Sequence, residues 1–358
     1  MFNPNAFKLI RSLYGYTLDE IAKRIHTTRQ YVHAIENGIK LPSNEHIAIF
    51  SMIFGVSRDY FFKENNFSIQ ESEVHFRKLR TTKQALKLQT IARLELVNSV
   101  LKVLENELDL PTINFPSLSY QEFSLSQIET IAEKCRDIWG VGQEPISNMT
   151  RLAENNGALV LDLDNTSSNI DALSIFQDRP IILRNIAKES ICRRRFDIAH
   201  EIGHFILHRG RPTGDKQTEN EANAFASALL LPKSVMIKEF PRPSRNRINW
   251  PEISAFKLKW KASKAACFYR AHKIGLLTDA QYKTAVIQLR CKGESIVEKE
   301  DYLIEEEKPE LILNALNIVD KFGFEYVASA LSINESTLRK ILSLPVQSPT
   351  TLKFSNLN

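Results

Sequence analysis

Apolar positions recur at helical spacing along most of the chain, and strand-like alternation is confined to one region. Near the start, Leu18, Ile21, Ala22 and Ile25 share one helical face behind Thr17-Leu18-Asp19-Glu20. That tetrapeptide fits a capping box, in which Thr17 and Glu20 satisfy each other's backbone amides. A second helix is predicted from Thr28 to Asn37, stopping at Gly38, with Val32 and Ile35 inward and Arg29, Gln30, Tyr31 and His33 outward. Pro42-Ser43 opens another helix to Phe54, and Ser57–Phe62 adds a short apolar turn, so residues 1–66 read as a unit of five short helices. Residues 67–116 predict one or two long connecting helices, bounded by Pro111 and Pro116.

Residues 117–290 predict an α+β unit. Helices over Ser124–Trp139 and Ile146–Asn155 precede Ala158–Leu163, which alternates like a strand. Asp171–Phe176 and Pro180–Leu183 predict a hairpin around Gln177-Asp178-Arg179, giving a small antiparallel sheet. Four more helices follow, over Arg194–Arg209, Glu219–Leu230, Ser263–Ile274 and Asp279–Leu289. Beyond Cys291 the chain turns acidic (Glu294, Glu298, Glu300, Asp301, Glu305, Glu306, Glu307), the composition of a solvated linker. Residues 309–345 are helical again. Within them, Val327–Asn334 echoes Ile21–Thr28 in register, so residues 291–358 read as an acidic linker and a second helix-turn-helix-like module. The expected fold is mostly α, with one small α+β domain.

Composition narrows the class. Gly and Pro total 26 of 358 residues, well under the usual ~12%, which favours helix. Hydrophobic residues at 43% and charged residues at 25% describe a globular chain, not a disordered one. No apolar run approaches the ~18–20 residues of a membrane span, so no membrane partner is expected. No charged segment followed by an apolar stretch opens the chain, and Cys135, Cys192, Cys267 and Cys291 are scattered without a CxxC pair. Both features point to a cytoplasmic protein with reduced thiols. A net charge of +5 requires any nucleic-acid footprint to be local. The run from Phe76 to Arg93 holds six cations and no acid, and suits either phosphate contacts or a solvated helix face.

The segment His200-Glu201-Ile202-Gly203-His204 is HExxH within a helical pattern. Residues four apart sit on one face, so His200 and His204 can grip a single zinc ion from successive turns. Glu201 lies beside them, placed to take a proton from water as a general base without ligating the metal. Zinc needs a third protein ligand, and Arg209-Gly210 offers no third histidine. The next helix supplies candidates. Glu219, Ala222, Asn223 and Ala226 share a face whose small alanines would let it approach the histidine helix closely. Glu219 is the candidate ligand, with Asn223 one turn on as a hydrogen-bond partner for a ligand histidine. Glu221, some 200° around the helix by ~3.6 residues per turn, is the alternative. His208 repeats the His204 stripe one turn later and reads as structural or as an outer partner of a ligand. Arg193-Arg194-Arg195 precedes the motif and suits bracing of carboxylates or substrate. Tyr269 and His272 are weak candidates for stabilising an oxyanion.

With these residues in place, the chain resembles the XRE-family regulators fused to an ImmA/IrrE-type metallo-endopeptidase domain. The resemblance runs through the N-terminal helix-turn-helix, Val74–Arg80, Ile170–Ser174, Arg194-Arg195-Phe196 into the HEIGH motif, Glu219–Ala226, Leu229-Leu230-Leu231-Pro232 and Tyr269–Leu276. It implies a zincin-like domain of gluzincin type, with His200 and His204 as zinc ligands, Glu201 as catalytic base and Glu219 as acidic ligand. It further implies a cytoplasmic zinc peptidase that cleaves a specific DNA-binding repressor, or a regulator that carries such a domain. The N-terminal motif would bind double-stranded operator DNA as a homodimer, its second helix in the major groove. Thr27, Thr28, Arg29, Gln30 and His33 are the candidate contacts, Arg favouring guanine and Gln adenine. Residues 1–66 carry eight cations and six acids, a modest electrostatic footprint. Two functions of different class remain open at this stage: a DNA-tethered endopeptidase, and a transcription factor whose zinc site senses a ligand or partner.

Overall fold

The structure is a computed structural model that describes residues 1–63, 69, 74–76, 84–118, 122–163, 172–211, 213–244, 247–319 and 323–345. Arg77, Lys78, Arg80 and Lys83 of the basic run, and Ile170-Asp171 of the resemblance, lie outside the described residues. The chain divides into two compact units, Met1–Ile69 with Lys83–Leu108 and Ala315–Asn358, and Gln70–Thr82 with Asp109–Asn314.

The first unit begins with helices α1 (Pro4–Tyr14), α2 (Leu18–Arg24), α3 (Arg29–Glu36) and α4 (Asn44–Phe54), closed by a 3-10 turn over Arg58–Phe62. Each start is fixed locally. Asn3, Thr17, Thr28 and Ser43 accept the first free amides of the four helices, and Thr17 and Glu20 form the predicted capping box. Phe7, Phe50, Phe54 and Phe61 are fully buried and form an aromatic centre, with Phe7 and Phe50 ring centroids 4.6 Å apart. The long helix α5 (Gln84–Glu105) belongs to the same unit, and its Arg93 donates to the Ile341 carbonyl at 2.7 Å. Lys87 and Arg93 are buried, so that part of the basic run is no solvated helix face.

The echo near the C-terminus is structural. Two residues at equivalent places, His26 and Ser332, have φ of 51° and 59°. The amides that follow, Thr27 and Ile333, both reach back 2.9 Å to the carbonyls of Ala22 and Ala328. Thr28 and Asn334 then cap the next helix in each copy. The second copy is packed inside its unit. The Ser57 amide donates to Ser332 and the Asn334 amide to Gly55, each at 2.8 Å, and the Thr337 hydroxyl donates to the Phe54 carbonyl at 2.9 Å. Arg339 stands where His33 stands in the first copy, but it is buried and held by Glu335 at 2.7 Å.

The second unit holds a four-stranded sheet. Strands β1 (Val74–Phe76), β2 (Leu159–Leu163), β3 (Leu173–Phe176) and β4 (Pro180–Asn185) lie in the order β1-β3-β4-β2. The β3–β4 hairpin is as predicted, but the sheet is mixed where an antiparallel one was expected, because β2 pairs with β4 in parallel. β3 folds back on one side of β4, leaving the other side for β2 running in the same direction. The burial of every residue of β4 fits a strand covered on both faces. β1 corrects a second expectation: Val74–Phe76, read as entry to a helix, forms a strand antiparallel to β3 with His75 opposite Ser174.

Around the sheet lie α6 (Leu125–Ile138), α7 (Met149–Asn155), α8 (Ile191–Leu207), α9 (Lys216–Leu230), α10 (Lys233–Glu239), α11 (Trp250–Trp260), α12 (Lys264–Lys273) and α13 (Asp279–Cys291). The expectation of a solvated acidic linker is overturned. Glu294, Glu298, Glu300, Asp301 and Glu307 are all buried. Lys257 meets Glu298 at 2.6 Å and Asp301 at 2.5 Å, and Lys264 meets Glu294 at 2.5 Å and Glu300 at 2.7 Å. The acidity is matched by cations on α11 and α12 that are far away in sequence.

Glu307 is the most heavily used of these acids. One oxygen accepts from the Met149 and Thr150 amides at the start of α7, at 2.8 and 3.1 Å, and the other pairs with buried Arg195. Glu307→Ala is therefore expected to lower stability by about 3–5 kcal/mol, because it strands a buried guanidinium. Urea unfolding checks this, and a loss under about 1 kcal/mol would show the pair to be dispensable.

Candidate metal centre and helix-turn-helix surface

α8 carries HExxH, and its inner face is buried from Asp197 to Leu207. His200 and His204 sit one turn apart with their Nε2 atoms 3.0 Å from each other. α9 starts where Asp215 accepts from the Gln217 and Thr218 amides at 2.7 and 3.1 Å, and it brings Glu219 to the pair. Glu219 Oε2 lies 3.4 Å from His200 Nε2 and Oε1 lies 3.5 Å from His204 Nε2. Tetrahedral zinc with bonds of about 2.0–2.1 Å places its donors about 3.3–3.4 Å apart, so the spacing and the donor types fit that ion. Among the described residues, His200, His204 and Glu219 are the cluster of histidine and acidic donors suited to a metal.

The close approach of α8 and α9 depends on Gly203. A methyl group there would lie 3.2 Å from the Ala222 Cα, 3.2 Å from a Phe225 ring carbon and 3.3 Å from the Ala222 carbonyl oxygen. Small residues on both helices thus set the distance between the histidines and Glu219. Burial works against the charged form of Glu219, but bonds from His200 and His204 outweigh it and hold the carboxyl well below its ordinary range.

Each ligand-type histidine has a partner on its other nitrogen. His200 Nδ1 is 3.0 Å from Asn223 Oδ1, and His204 Nδ1 is 2.9 Å from His208 Nδ1. His208 ends α8 as its cap residue, and its Nε2 lies 2.8 Å from Glu221 Oε2. Burial pushes His208 below the ordinary histidine value, against the pull of the Glu221 carboxylate. Glu221, the alternative ligand in sequence terms, is thus turned to His208. Glu201 is almost fully buried, and the Ser174 hydroxyl on β3 donates to its Oε2. In the sequence Ser174 stands in a strand and closes the Ile170–Ser174 stretch of the resemblance, with no role attached to it.

Residues 153–272 match the Peptidase_M78 family model, an IrrE N-terminal-like domain, and residues 7–61 match the HTH_3 helix-turn-helix model. The chain is a helix-turn-helix domain fused to an IrrE-like peptidase domain. The first match spans every residue of the donor group and its partners, from Ser174 to Asn223. No curated protein matches the chain at a significant level. No helix among the described residues is long and apolar enough to cross a membrane.

Other sequence candidates occupy different places. Arg194 and Arg195 pair with Glu306 and Glu307, so they brace carboxylates of their own chain. His272 pairs with Asp279 at 2.6 Å and stacks on Tyr282, and Tyr269 packs against the same ring. On the helix-turn-helix domain, Arg29, Gln30 and His33 project from α3 and are exposed. Arg29 keeps 67% of its side-chain surface, with Asp19 3.8 Å away. Thr27 is half-buried, and the Thr28 hydroxyl is engaged in capping α3, 3.3 Å from the Tyr31 amide.

Gly203 gives a prediction with a definite sign. Alanine in a helix interior ordinarily gains about 0.5–1 kcal/mol over glycine. Here the methyl group would press on backbone, which cannot move aside without shifting α9. Gly203→Ala is expected to lower stability in urea unfolding of the metal-free protein. A gain of the ordinary size would show that the helices are not in limiting contact.

Proposed function

We propose that this protein is a transcriptional regulator that binds operator DNA as a dimer and uses its IrrE-like domain as a zinc endopeptidase on a repressor-type protein. The observation that carries the reading is the placement of Glu201. It adjoins a three-donor group of zinc-like spacing, held by a hydroxyl on the neighbouring strand. Bound zinc would supply a Lewis acid and lower the pKa of water toward neutrality. His200, His204 and Glu219 would hold it and leave one position of the tetrahedron for substrate or water. Glu201 takes a proton from the attacking water and passes it to the departing amine, the work of a general base and then acid. Ser174 donates to one carboxylate oxygen and so fixes the orientation of the carboxylate. Glu201 and Ser174 are both buried, in surroundings that strengthen each of these interactions.

Glu201→Gln keeps size and removes the base. Expected is a loss of cleavage of the repressor by orders of magnitude, with zinc content and operator affinity unchanged. Cells carrying it are expected to show the same regulatory defect as His200→Ala cells. Normal regulation in Glu201→Gln cells would leave the domain as a sensor.

Operator binding is assigned to α3, with Arg29, Gln30 and His33 toward base edges and Thr27 and Thr28 at the helix start. Arg29→Ala is expected to cost roughly 1–3 kcal/mol at the cognate site and to relax base preference at one position. Binding assays at fixed salt check this, and unchanged affinity with unchanged preference would place the contact elsewhere.

A further inference from the structure

After α13 come α14 (Leu311–Ile318), α15 (Gly323–Leu331) and α16 (Glu335–Leu342). α15 and α16 form the second helix-turn-helix copy, and its second helix is not equipped to read bases. The residue after the helix cap is Arg29 in the first copy and Glu335 in the second, so an exposed acid stands where the first copy has an exposed cation. Glu335 would meet phosphates with the wrong sign. Arg339 is buried and pairs with that acid, and Thr337, at the place of Tyr31, is fully buried.

α16 is turned to the end of another helix instead. The last carbonyls of a helix have no partner within it. At the end of α4, the Thr337 hydroxyl lies 2.9 Å from the Phe54 carbonyl and 3.1 Å from that of Gly55, and the Asn334 amide donates to Gly55 at 2.8 Å. The positive end of α16 thus faces the negative end of α4. Gly55 leaves the room for this, since a methyl group there would lie 2.4 Å from Asn334 Nδ2 and 2.7 Å from Thr337 Oγ1. The same hydroxyl reaches α1: Tyr14 Oη lies 3.0 Å from Thr337 Oγ1 and donates to the Phe54 carbonyl at 3.0 Å. One turn earlier on α1, Arg11 donates twice to the Glu36 carboxylate of α3, at 2.7 and 2.8 Å.

We infer that Thr337, with the second copy around it, is a positioning residue for operator binding. It closes the end of α4, holds the end of α1 and, through the Arg11–Glu36 pair, sets the pose of α3. The inference rests on the assignment of operator binding to α3. The DNA-binding domain then extends past the 7–61 match and takes in α15 and α16 from the far end of the chain. One turn serves two objects: the first copy presents its second helix to DNA, and the second copy presents its own to the first.

The probe is duplex DNA that the wild-type protein selects from a random pool. A variant of the full chain ending after Val319 lacks α15 and α16, and should bind this DNA at least about tenfold more weakly, because the competent pose of α3 is less populated. Wild-type affinity in that variant overturns the inference. Thr337→Val and Thr337→Ser are compared at a temperature where circular dichroism shows both fully folded. Valine keeps the size and loses the hydroxyl. It should weaken binding about fivefold, the worth of one buried hydrogen bond, and speed hydrogen exchange in α3 and α4. Serine keeps the hydroxyl and should restore both. Wild-type binding and exchange in Thr337→Val overturn the inference. Lys340→Gln should leave the salt dependence of binding unchanged, and a slope lower by about one would place α16 against a phosphate and overturn it as well. Failure of the operator reading looks different: the wild type selects no duplex, yet Thr337→Val still speeds exchange in α3.

Discussion

The contact between α8 and α9 at Gly203 and Ala222 governs the chemistry of the second unit. HExxH places two imidazoles on one face of α8, but a metal donor set needs a third group from elsewhere. α9 can offer Glu219 at 3.4–3.5 Å only because no side chain separates the two helices where they cross. That crossing also brings Asn223 to His200 and Glu221 to His208. The spacing of the donors and the contacts behind both histidines therefore rest on one small-residue contact. The sheet adds a contact of its own: β3 carries Ser174 to a carboxylate oxygen of Glu201.

Stability and charge are joined in the same unit. A run of acids that would otherwise repel is folded onto Lys257, Lys264, Arg194 and Arg195. Buried ion pairs contribute little net stability compared with apolar packing, but losing one partner is costly. Their effect is to make the path of residues 294–307 specific, since each carboxylate has one set of cations that can accept it. Glu307 shows the logic in a single residue, joining the start of α7 to the first turns of the helix that carries the histidines.

How much of this could be read from the chain depends on the range of the interaction. The Thr17–Glu20 capping box, the turn at His26, most of the helices and the hairpin are local, and the residue pattern displayed them, whereas α10 and α11 were not read. The HExxH spacing and the shared face of Glu219 and Asn223 are also local, because helix geometry converts spacing into direction. The repeat of Ile21–Thr28 at Val327–Asn334 extends to the same bonds and the same left-handed residue. The burial of the acidic segment was not legible, since it depends on lysines brought together only by the fold. The parallel pairing of β2 with β4 was hidden for the same reason, and so was β1, whose three residues borrow their conformation from β3. Ser174 lay within the Ile170–Ser174 stretch of the resemblance, but its contact with Glu201 depends on the fold.

The proposed function requires one zinc ion held by His200, His204 and Glu219. Metal titration of the apo protein with X-ray absorption at the zinc edge measures it directly. Expected is one zinc per chain, bound by two imidazoles and oxygen donors, with a large loss of affinity in Glu219→Ala. Full affinity and an unchanged absorption spectrum in Glu219→Ala would contradict it.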